Sequence, residues 1–353
     1  MYNGIINVYK ERGYTSHDVV AKLRGILGQK KIGHTGTLDP DAEGVLPVCL
    51  GSGTKLCDML TNRDKVYEAG LLLGITTDTL DITGTVTGQA DWEEFVRELK
   101  ISELEERIYG ILSSFVGRQM QVPPMYSALK VNGKKLVDLA RTGVVLERKP
   151  REIEIYSIEV LSMDLPHIRL LVHCGKGTYI RSLCDDIGRA LGCGGCMESL
   201  IRRAVGPFRL EDAKTLGEIT ELRDRGELEQ YITPPDEMFD YPSVRVDASF
   251  LVPARNGNPI PTEKLEPEYR DEAQKPEPEY GDEMRKPEPE HGDEVQKSSR
   301  FSDNMRQGSK KDLTKNEFLR IYLPDGKFLG IYRRNREKDS YLPEKIFYSP
   351  EKV

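Results

Sequence analysis

The sequence lacks the signatures of several large protein classes. No apolar run approaches the roughly 20 residues that a membrane-spanning helix requires, which argues against a helical membrane protein. None of the five histidines forms an HExxH zinc motif, and no GxxxxGK[ST] phosphate-binding loop occurs. The CxxC of Cys193 and Cys196 has no second ligand pair at zinc spacing. We therefore predict a protein with no membrane span, no metal site and no cofactor.

The cysteines and the N-terminal residues indicate a reducing compartment. Six cysteines are scattered along a chain that can bury a core, since 38% of its residues are hydrophobic. This distribution favours reduced thiols over a disulfide scaffold. The first seven residues have neither the basic region nor the apolar core of a secretory signal peptide. We expect a cytoplasmic protein.

The net charge of −7 comes from one repetitive segment. Residues 264–296 consist of three eleven-residue repeats, KLEPEYRDEAQ, KPEPEYGDEMR and KPEPEHGDEVQ. Twelve of the 58 acidic and five of the 51 basic residues lie there, which leaves 46 of each elsewhere. The regularly placed prolines forbid a continuous helix, and the segment has almost nothing with which to build a core. We predict a disordered insertion over Thr262–Lys315.

A basic patch lies in the neutral remainder. Between Ala128 and Arg151, seven basic residues stand against only Asp138 and Glu147. An Asn132-Gly133 pair inside the patch predicts a hairpin turn. Such a patch suits phosphate binding, but an ordinary solvated helix and loop explains the composition equally well.

Strand and helix patterns alternate through the first two-thirds of the chain. Apolar spacing predicts helices beginning near Ser16, Leu104 and Ile180. Strands are expected at Val66–Leu73, and also around 153–160 and 168–174. Beyond the acidic repeats, Pro324-Asp325-Gly326 predicts a hairpin within a small β domain.

The densest candidate for chemistry is the segment from Gly33 to Pro47, GHTGTLDPDAEGVLP. Pro40 biases Asp39 towards an extended backbone, and Gly33 and Gly36 allow close approach of a ligand. This arrangement could hold a carboxylate at the mouth of a cleft. Taken alone, an Asp-Pro pair between two elements is more often only a turn.

This segment resembles the active-site motif GHTGxLDPxAxGxLP of the TruB family of pseudouridine synthases, and every specified position matches. Four further segments resemble family motifs in the expected order. They are Lys65-Val66-Tyr67, QVPPMYSALK at 121–130, GTYIR at 177–181 and RRAVG at 202–206. The resemblance covers roughly residues 4–240. Two positions depart from the family pattern: Glu11 replaces a proline and Ala204 replaces a threonine.

The resemblance implies roles for individual residues. Asp39 matches the catalytic nucleophile, Tyr67 the tyrosine beside the target base, and Arg181 the arginine paired with the aspartate. His34 matches the histidine at the place where the target nucleotide leaves its stack. The implied substrate is uridine 55 in the T-arm of tRNA. Further substrate-binding or RNA-binding positions are expected at Thr37, Asp78, Lys130, Lys134, Arg141, Tyr179, Arg202 and Arg203.

The resemblance also implies the architecture. We expect an α+β catalytic domain over residues 1–240, with a mixed, largely antiparallel central sheet flanked by helices. Residues 117–150 would form an insertion that grips the T-arm. Residues 241–353 would form a small, β-barrel-like RNA-binding domain of the PUA type, interrupted by the acidic repeats. We expect a monomer that needs no protein partner.

Two alternatives stay open at this point. One is an RNA-guided pseudouridine synthase of the Cbf5 type, which shares the catalytic motif but works inside a ribonucleoprotein. The other is a non-catalytic tRNA-binding or tRNA-folding chaperone. The presence of Asp39, Tyr67 and Arg181 together argues against pure binding.

Overall fold

The computed structural model describes residues 1–97, 101–127, 129–131, 133–144, 146–267 and 316–348. The chain divides into two compact units, Met1–Pro235 and Asp236–Val353. No helix in these described ranges is both long and apolar enough to cross a membrane.

The first unit is built on a large mixed sheet. Its strand order is β14-β1-β3-β12-β4-β11-β10-β7, with β2 added to β3 and β13 to β12. All pairings are antiparallel except that between β3 and β12, so the predicted mixed, largely antiparallel sheet is confirmed. The strands are β1 Gly4–Lys10, β2 Ile32–His34, β3 Glu43–Leu50, β4 Lys65–Leu73, β5 Ile75–Thr77, β6 Val86–Gln89, β7 Gly117–Gln121, β8 Lys130–Val131, β9 Lys134–Lys135, β10 Arg151–Asp164, β11 His167–Cys174, β12 Gly195–Val205, β13 Phe208–Arg209 and β14 Ile232–Thr233.

Helices cover this sheet and bury two apolar cores. One core lies between α1, α7 and strands β1 and β3, and the other beneath α4 and α6. Capping boxes start α1 and α7, with Thr15 and Thr215 each accepting from the third helical residue. The helices are α1 Ser16–Leu27, α2 Cys57–Thr61, α3 Trp92–Arg97, α4 Ile101–Ser114, α5 Leu136–Arg141, α6 Ile180–Leu191 and α7 Leu216–Asp224.

The predicted elements of this unit are confirmed with small shifts of boundary. The strand expected at Val66–Leu73 is β4, and the helix expected from Ile180 is α6. Strands β8 and β9 pair as the predicted hairpin, Lys130 with Lys135 and Val131 with Lys134. Asn132, half of the turn signal, lies outside the described residues.

The second unit is a six-stranded, barrel-like sheet in the order β16-β20-β19-β18-β15-β17. Its core contains side chains such as Val244, Ile321, Leu329 and Tyr341. The predicted hairpin at 324–326 joins β18 and β19. The elements are β15 Ser243–Val246, α8 Leu251–Arg255, β16 Ile260–Pro261, β17 Leu265–Pro267, β18 Phe318–Tyr322, β19 Phe328–Asn335 and β20 Ser340–Ile346.

The predicted boundary of the acidic insertion is wrong at its start. Thr262–Lys264 form a helical turn, and β17 pairs with β15 through Leu265 and Val246. Leu265, an apolar residue of the first repeat, is fully buried and packs into the core of the unit. The rest of the predicted insertion, residues 268–315, lies outside the described residues.

Candidate active site

The loop that joins β2 to β3 carries Asp39 and is fastened at several points. The backbone N–H of Leu38 donates to the Ser16 hydroxyl at 2.9 Å. The buried Lys10 ammonium donates to the carbonyls of Pro40 at 3.0 Å and Ala42 at 2.5 Å. The loop is therefore held from both α1 and β1, which limits the positions that the Asp39 carboxylate can take.

One glycine of the motif is required by close packing. Gly44 has a φ of 104°, and a Cβ built there would lie 2.4 Å from the Arg202 carbonyl oxygen. Strand β3 pairs with β12 at this point, Gly44 opposite Arg202. Any side chain at 44 would therefore push the catalytic loop away from the sheet.

Arg181 holds the Asp39 carboxylate through two contacts. Its Nε lies 3.0 Å from Asp39 Oδ2, and its Nη2 donates to Oδ1 at 3.3 Å. The same guanidinium donates to the carbonyls of Thr79 at 3.0 Å and Tyr126 at 2.8 Å. Its Nη1 also lies 3.6 Å from the Asp81 carboxylate. Arg181 is only 5% exposed, so this fork is a rigid, charge-assisted clamp on Asp39.

The start of α6 places Arg181 accurately. Gln121 at the end of β7 exchanges two hydrogen bonds with the backbone of Tyr179, at 2.8 and 3.0 Å. The Ser182 hydroxyl donates to the Val122 carbonyl at 3.1 Å. These contacts tie the first helical turn to the segment that follows β7, although the side chain of the N-cap residue, Tyr179, makes no capping hydrogen bond.

Burial and the charge of Arg181 act in opposite directions on the pKa of Asp39. The positive charge of Arg181 favours the ionised carboxylate and lowers this pKa. Burial is the larger effect, however, and the pKa of Asp39 is raised above its ordinary value. Asp81 also raises this pKa, whereas Lys10 lowers it. The Asp39 side chain is 40% exposed, so it is accessible to solvent.

Tyr67 lies on β4, beside Arg202 on β12. It is 7% exposed, and burial raises the pKa of its hydroxyl above the ordinary value of 10. The charges of Arg202 and Asp39 also act on this pKa, Arg202 lowering it and Asp39 raising it. Tyr67 is therefore protonated at neutral pH.

His34 is the last residue of β2 and directly precedes the loop that carries Asp39. Its Nδ1 lies 3.2 Å from the Gly36 carbonyl, which can only accept, so Nδ1 carries the proton. Burial lowers the pKa of His34, and the His17 ring contacts it edge-on at 5.1 Å between centroids. The neutral ring therefore keeps Nε2 as an acceptor for a bound ligand.

A cavity of about 350 Å³ opens beside the clamp. Asp39, Arg181, Asp81, Tyr126 and Arg141 line it, together with residues 197–201 of β12. The structure thus brings together three residues predicted from distant segments of the chain: Asp39, Arg181 and Arg141. A cavity of this size that is lined by both polar and apolar residues suits a nucleobase-sized ligand.

The other predicted positions fall into different environments. Thr37 is exposed in the catalytic loop, and Lys134 and Arg141 are exposed in the hairpin and α5. Asp78 accepts from the Thr85 backbone N–H at 2.7 Å across the β5–β6 turn. Of Lys130, the structure describes only the backbone.

Arg202 and Arg203 are consecutive in β12 but lie in different surroundings. Arg203 pairs with Glu68 at 3.3 Å and Glu211 at 3.4 Å. Arg202 is 1% exposed, beneath the catalytic loop. A direct contact between its guanidinium and an RNA backbone would need the loop to move.

Sequence reasoning gave no role to Lys10, Asp81 or Gln121. Lys10 lies in a segment that resembles a family motif, which was a usable signal. Asp81 accepts from the Thr79 and Thr83 hydroxyls, as a loop-capping residue does, but its other oxygen faces Arg181. Gln121 begins the QVPPMYSALK segment, but that motif did not indicate that its side chain fixes the start of α6. No cluster of three or more potential metal ligands occurs within the described ranges.

Comparison with known proteins identifies two matching family models and several similar proteins. A family model described as TruB family pseudouridylate synthase (N terminal domain) matches residues 24–180. A second, tRNA pseudouridylate synthase B C-terminal domain, matches residues 181–240. The tRNA pseudouridine synthase B of Lachnoclostridium phytofermentans is 44% identical over 98% of this chain and 99% of that protein. The protein of the same name from Clostridium kluyveri is 46% identical over 74% of this chain and 87% of its own length.

Solved structures share the fold. A chain of a Cbf5-Nop10-Gar1 complex is similar with a TM-score of 0.61 and 24% identity, covering 98% of this chain and 85% of its own. A chain of an H/ACA RNP bound to a substrate RNA containing 2′-deoxyuridine gives a TM-score of 0.60 and 22% identity. That match covers 99% of this chain and 86% of the other. The two family models and the identities with its relatives are decisive: the chain belongs to the TruB family of pseudouridine synthases.

Proposed function

We propose that this chain isomerises uridine 55 in the T-arm of tRNA to pseudouridine, with Asp39 as nucleophile and without a cofactor. The observation that carries the proposal is the Asp39 carboxylate, clamped by a buried Arg181 at the mouth of a base-sized cavity. The relatives named tRNA pseudouridine synthase B support tRNA as the substrate class.

The reaction needs only what the site contains. The N1–C1′ bond breaks, the C5–C1′ bond forms, and one proton passes from C5 to N1, so no oxidant, hydrolysis or energy source is required. An ionised carboxylate is a competent nucleophile for attack on either the sugar or the base. The clamp leaves Asp39 partly exposed towards the cavity while fixing its orientation.

The target base has to leave its stack to reach Asp39. Unstacking costs on the order of a few kcal/mol, which contacts in the pocket offset. We assign His34 to the vacated space, because its neutral ring can stack and accept through Nε2 at the same time. Arg141 lines the cavity, Lys134 and Arg141 are both exposed, and we assign the two to phosphates of the T-arm.

The remaining assignments follow the same family relationship. Residues 117–150 are proposed to grip the T-arm, and the barrel-like unit to contribute RNA binding as a PUA-type domain. We place the enzyme in the cytoplasm as a monomer without an obligate protein partner. The six cysteines, all free thiols, are consistent with a reducing compartment.

The test is to incubate purified protein with an unmodified tRNA transcript and no guide RNA, then map pseudouridine by carbodiimide labelling and primer extension. We expect pseudouridine at position 55 and none with Asp39→Asn. Binding of tRNA by Asp39→Asn should stay within about tenfold of wild type, or roughly 1.4 kcal/mol. Asp64→Asn is the matched control, since Asp64 is 44% exposed and pairs with His173 rather than Arg181.

The alternatives give different results in this experiment. Tight tRNA binding without product, from folded wild-type protein, would favour the chaperone. Product that appears only after a guide RNA is added would favour the RNA-guided type.

A further inference from the structure

Arg202 is a buried cation with few partners. It is 1% exposed, and its Nε donates to the Val45 carbonyl at 2.7 Å. Its Nη2 is buried without a hydrogen-bond partner among the described atoms, and no ion pair within the described ranges involves Arg202. Arg181 and Arg203, in contrast, both contact carboxylates. A buried charge without a counter-ion is costly, so packing alone is a poor explanation for Arg202.

The position of this guanidinium is set by the sheet. Arg202 pairs with Tyr67 of β4 on one side and with Gly44 of β3 on the other. Directly paired residues project from the same face of a sheet, with their Cβ atoms about 5 Å apart. On the loop side, Nη1 lies 3.9 Å from where a Cβ of Gly36 would stand. The guanidinium thus lies between Tyr67 and the loop that carries Asp39.

The position of the Arg202 guanidinium has two consequences for the Tyr67 hydroxyl. A guanidinium has donors only, so towards Arg202 the phenolic oxygen can only accept. The phenolic hydrogen must then point elsewhere. The positive charge also favours the phenolate, opposing the burial that raises the pKa of Tyr67.

We propose that Arg202 is a positioning residue for proton transfer by Tyr67. The inference rests on the proposed function. Arg202 turns the phenolic O–H away from itself and stabilises the phenolate while the proton is on the substrate. Because Tyr67 starts as a phenol, it first gives its proton to N1, which keeps the electron pair of the broken N1–C1′ bond. After C5–C1′ forms, the phenolate takes the proton from C5, so the phenol is restored and the proton balance closes.

A double-mutant cycle of Arg202→Met and Tyr67→Phe tests this. The readout is the single-turnover rate of tritium release from tRNA carrying [5-³H]uridine, with enzyme in excess. A lost interaction with a charged group predicts that Arg202→Met slows release about 10- to 100-fold in the Tyr67 protein. In the Tyr67→Phe protein, the same change should cost less than about threefold. The Kd for tRNA should stay within about threefold throughout.

Controls separate this role from a structural one. Arg169→Met removes an arginine from β11, which lies on the other side of β4, where it pairs with Glu68, and should leave the rate unchanged. If Arg202→Met does not fold, judged by circular dichroism, Arg202→Lys replaces it in the cycle. Lysine keeps the charge but lacks the planar fork, so a smaller, still Tyr67-dependent loss is expected.

The outcomes are distinct. An equal loss in the Tyr67 and Tyr67→Phe proteins would overturn the proposal, because Arg202 would then act independently of Tyr67. A loss confined to the Kd for tRNA would overturn it as well. Absence of tritium release from wild-type enzyme would instead reject the proposed function.

Discussion

Replacing Arg181 by lysine probes the clamp most directly. Lysine keeps the charge, but a single ammonium cannot reproduce the two contacts to Asp39 and those to the Thr79 and Tyr126 carbonyls. A hydrogen bond to a charged group contributes about 1.5–3 kcal/mol. Losing one of the two to Asp39 in the transition state should slow isomerisation about 10- to 150-fold.

The same change has a pH signature. The pKa of Asp39 already lies above its ordinary value, and Arg181 is the main group that lowers it. The proposed mechanism requires the ionised carboxylate, so the rate of isomerisation should fall as the pH drops through this pKa. Weakening the clamp raises the pKa further, and the acid limb of the pH–rate profile should move to higher pH.

The assay is single-turnover pseudouridine formation between pH 5 and 8, with tRNA affinity measured in parallel. Arg189→Lys is the matched control on the same helix, since Arg189 is 70% exposed and pairs with Asp185 one turn away. It should leave both rate and profile unchanged. If Arg181→Lys keeps its rate within threefold and its acid limb in place, the clamp does not orient Asp39 and the reasoning fails.

Three further predictions concern the surroundings of the site. Lys10→Met should slow single-turnover isomerisation about tenfold with little change in tRNA Kd, because contacts that hold the loop are lost. Since burial lowers the pKa of Lys10 to about 8, wild type should gain stability relative to Lys10→Met between pH 8 and 10.5, measured by urea unfolding. His34 is neutral at pH 7, so the ratio of tRNA affinities of wild type and His34→Gln should stay constant from pH 7 to 8; a steady drift would contradict this. Neutralising Lys134 and Arg141 together should weaken the binding of any tRNA. The slope of log Kd against log salt concentration should decrease by the amount expected for the loss of about two phosphate contacts. An unchanged slope would make them ordinary surface residues.

Local signals predicted the elements, whereas pairing needed the structure. The Thr15-Ser16 cap and its apolar spacing located α1, and the apolar β4 run located a central strand, because both patterns are short-range. Nothing local shows that β12 lies between β3 and β4, although that placement puts Arg202 beside Tyr67. Leu265 shows that a core residue can also lack any local sequence signal. A single apolar residue in an acidic repeat carries no periodic signal, yet it completes a core.

The residues of the candidate site likewise divide into those that contiguous motifs predicted and those that only the structure revealed. The motif around Asp39 could be identified because its residues are contiguous, and Arg181 followed from a second contiguous motif. Lys10 and Asp81 act on Asp39 from other parts of the chain, through a loop carbonyl and through the far side of a guanidinium. Neither sequence context indicates a contact with the Asp39 loop or with Arg181, so only the folded arrangement gives these two residues a role.

The charges around Asp39 explain why the site needs these supports. Burial and Asp81 both favour the protonated carboxyl, while Arg181 and Lys10 favour the anion. A carboxylate in water would be ionised without help, but it would be solvated and free to turn. Here the carboxylate gives up part of its solvation for a fixed orientation, and two basic groups offset the cost. The raised pKa of Asp39 is thus the expected result of fixing the orientation of a largely desolvated carboxylate, since the two basic groups offset only part of the lost solvation.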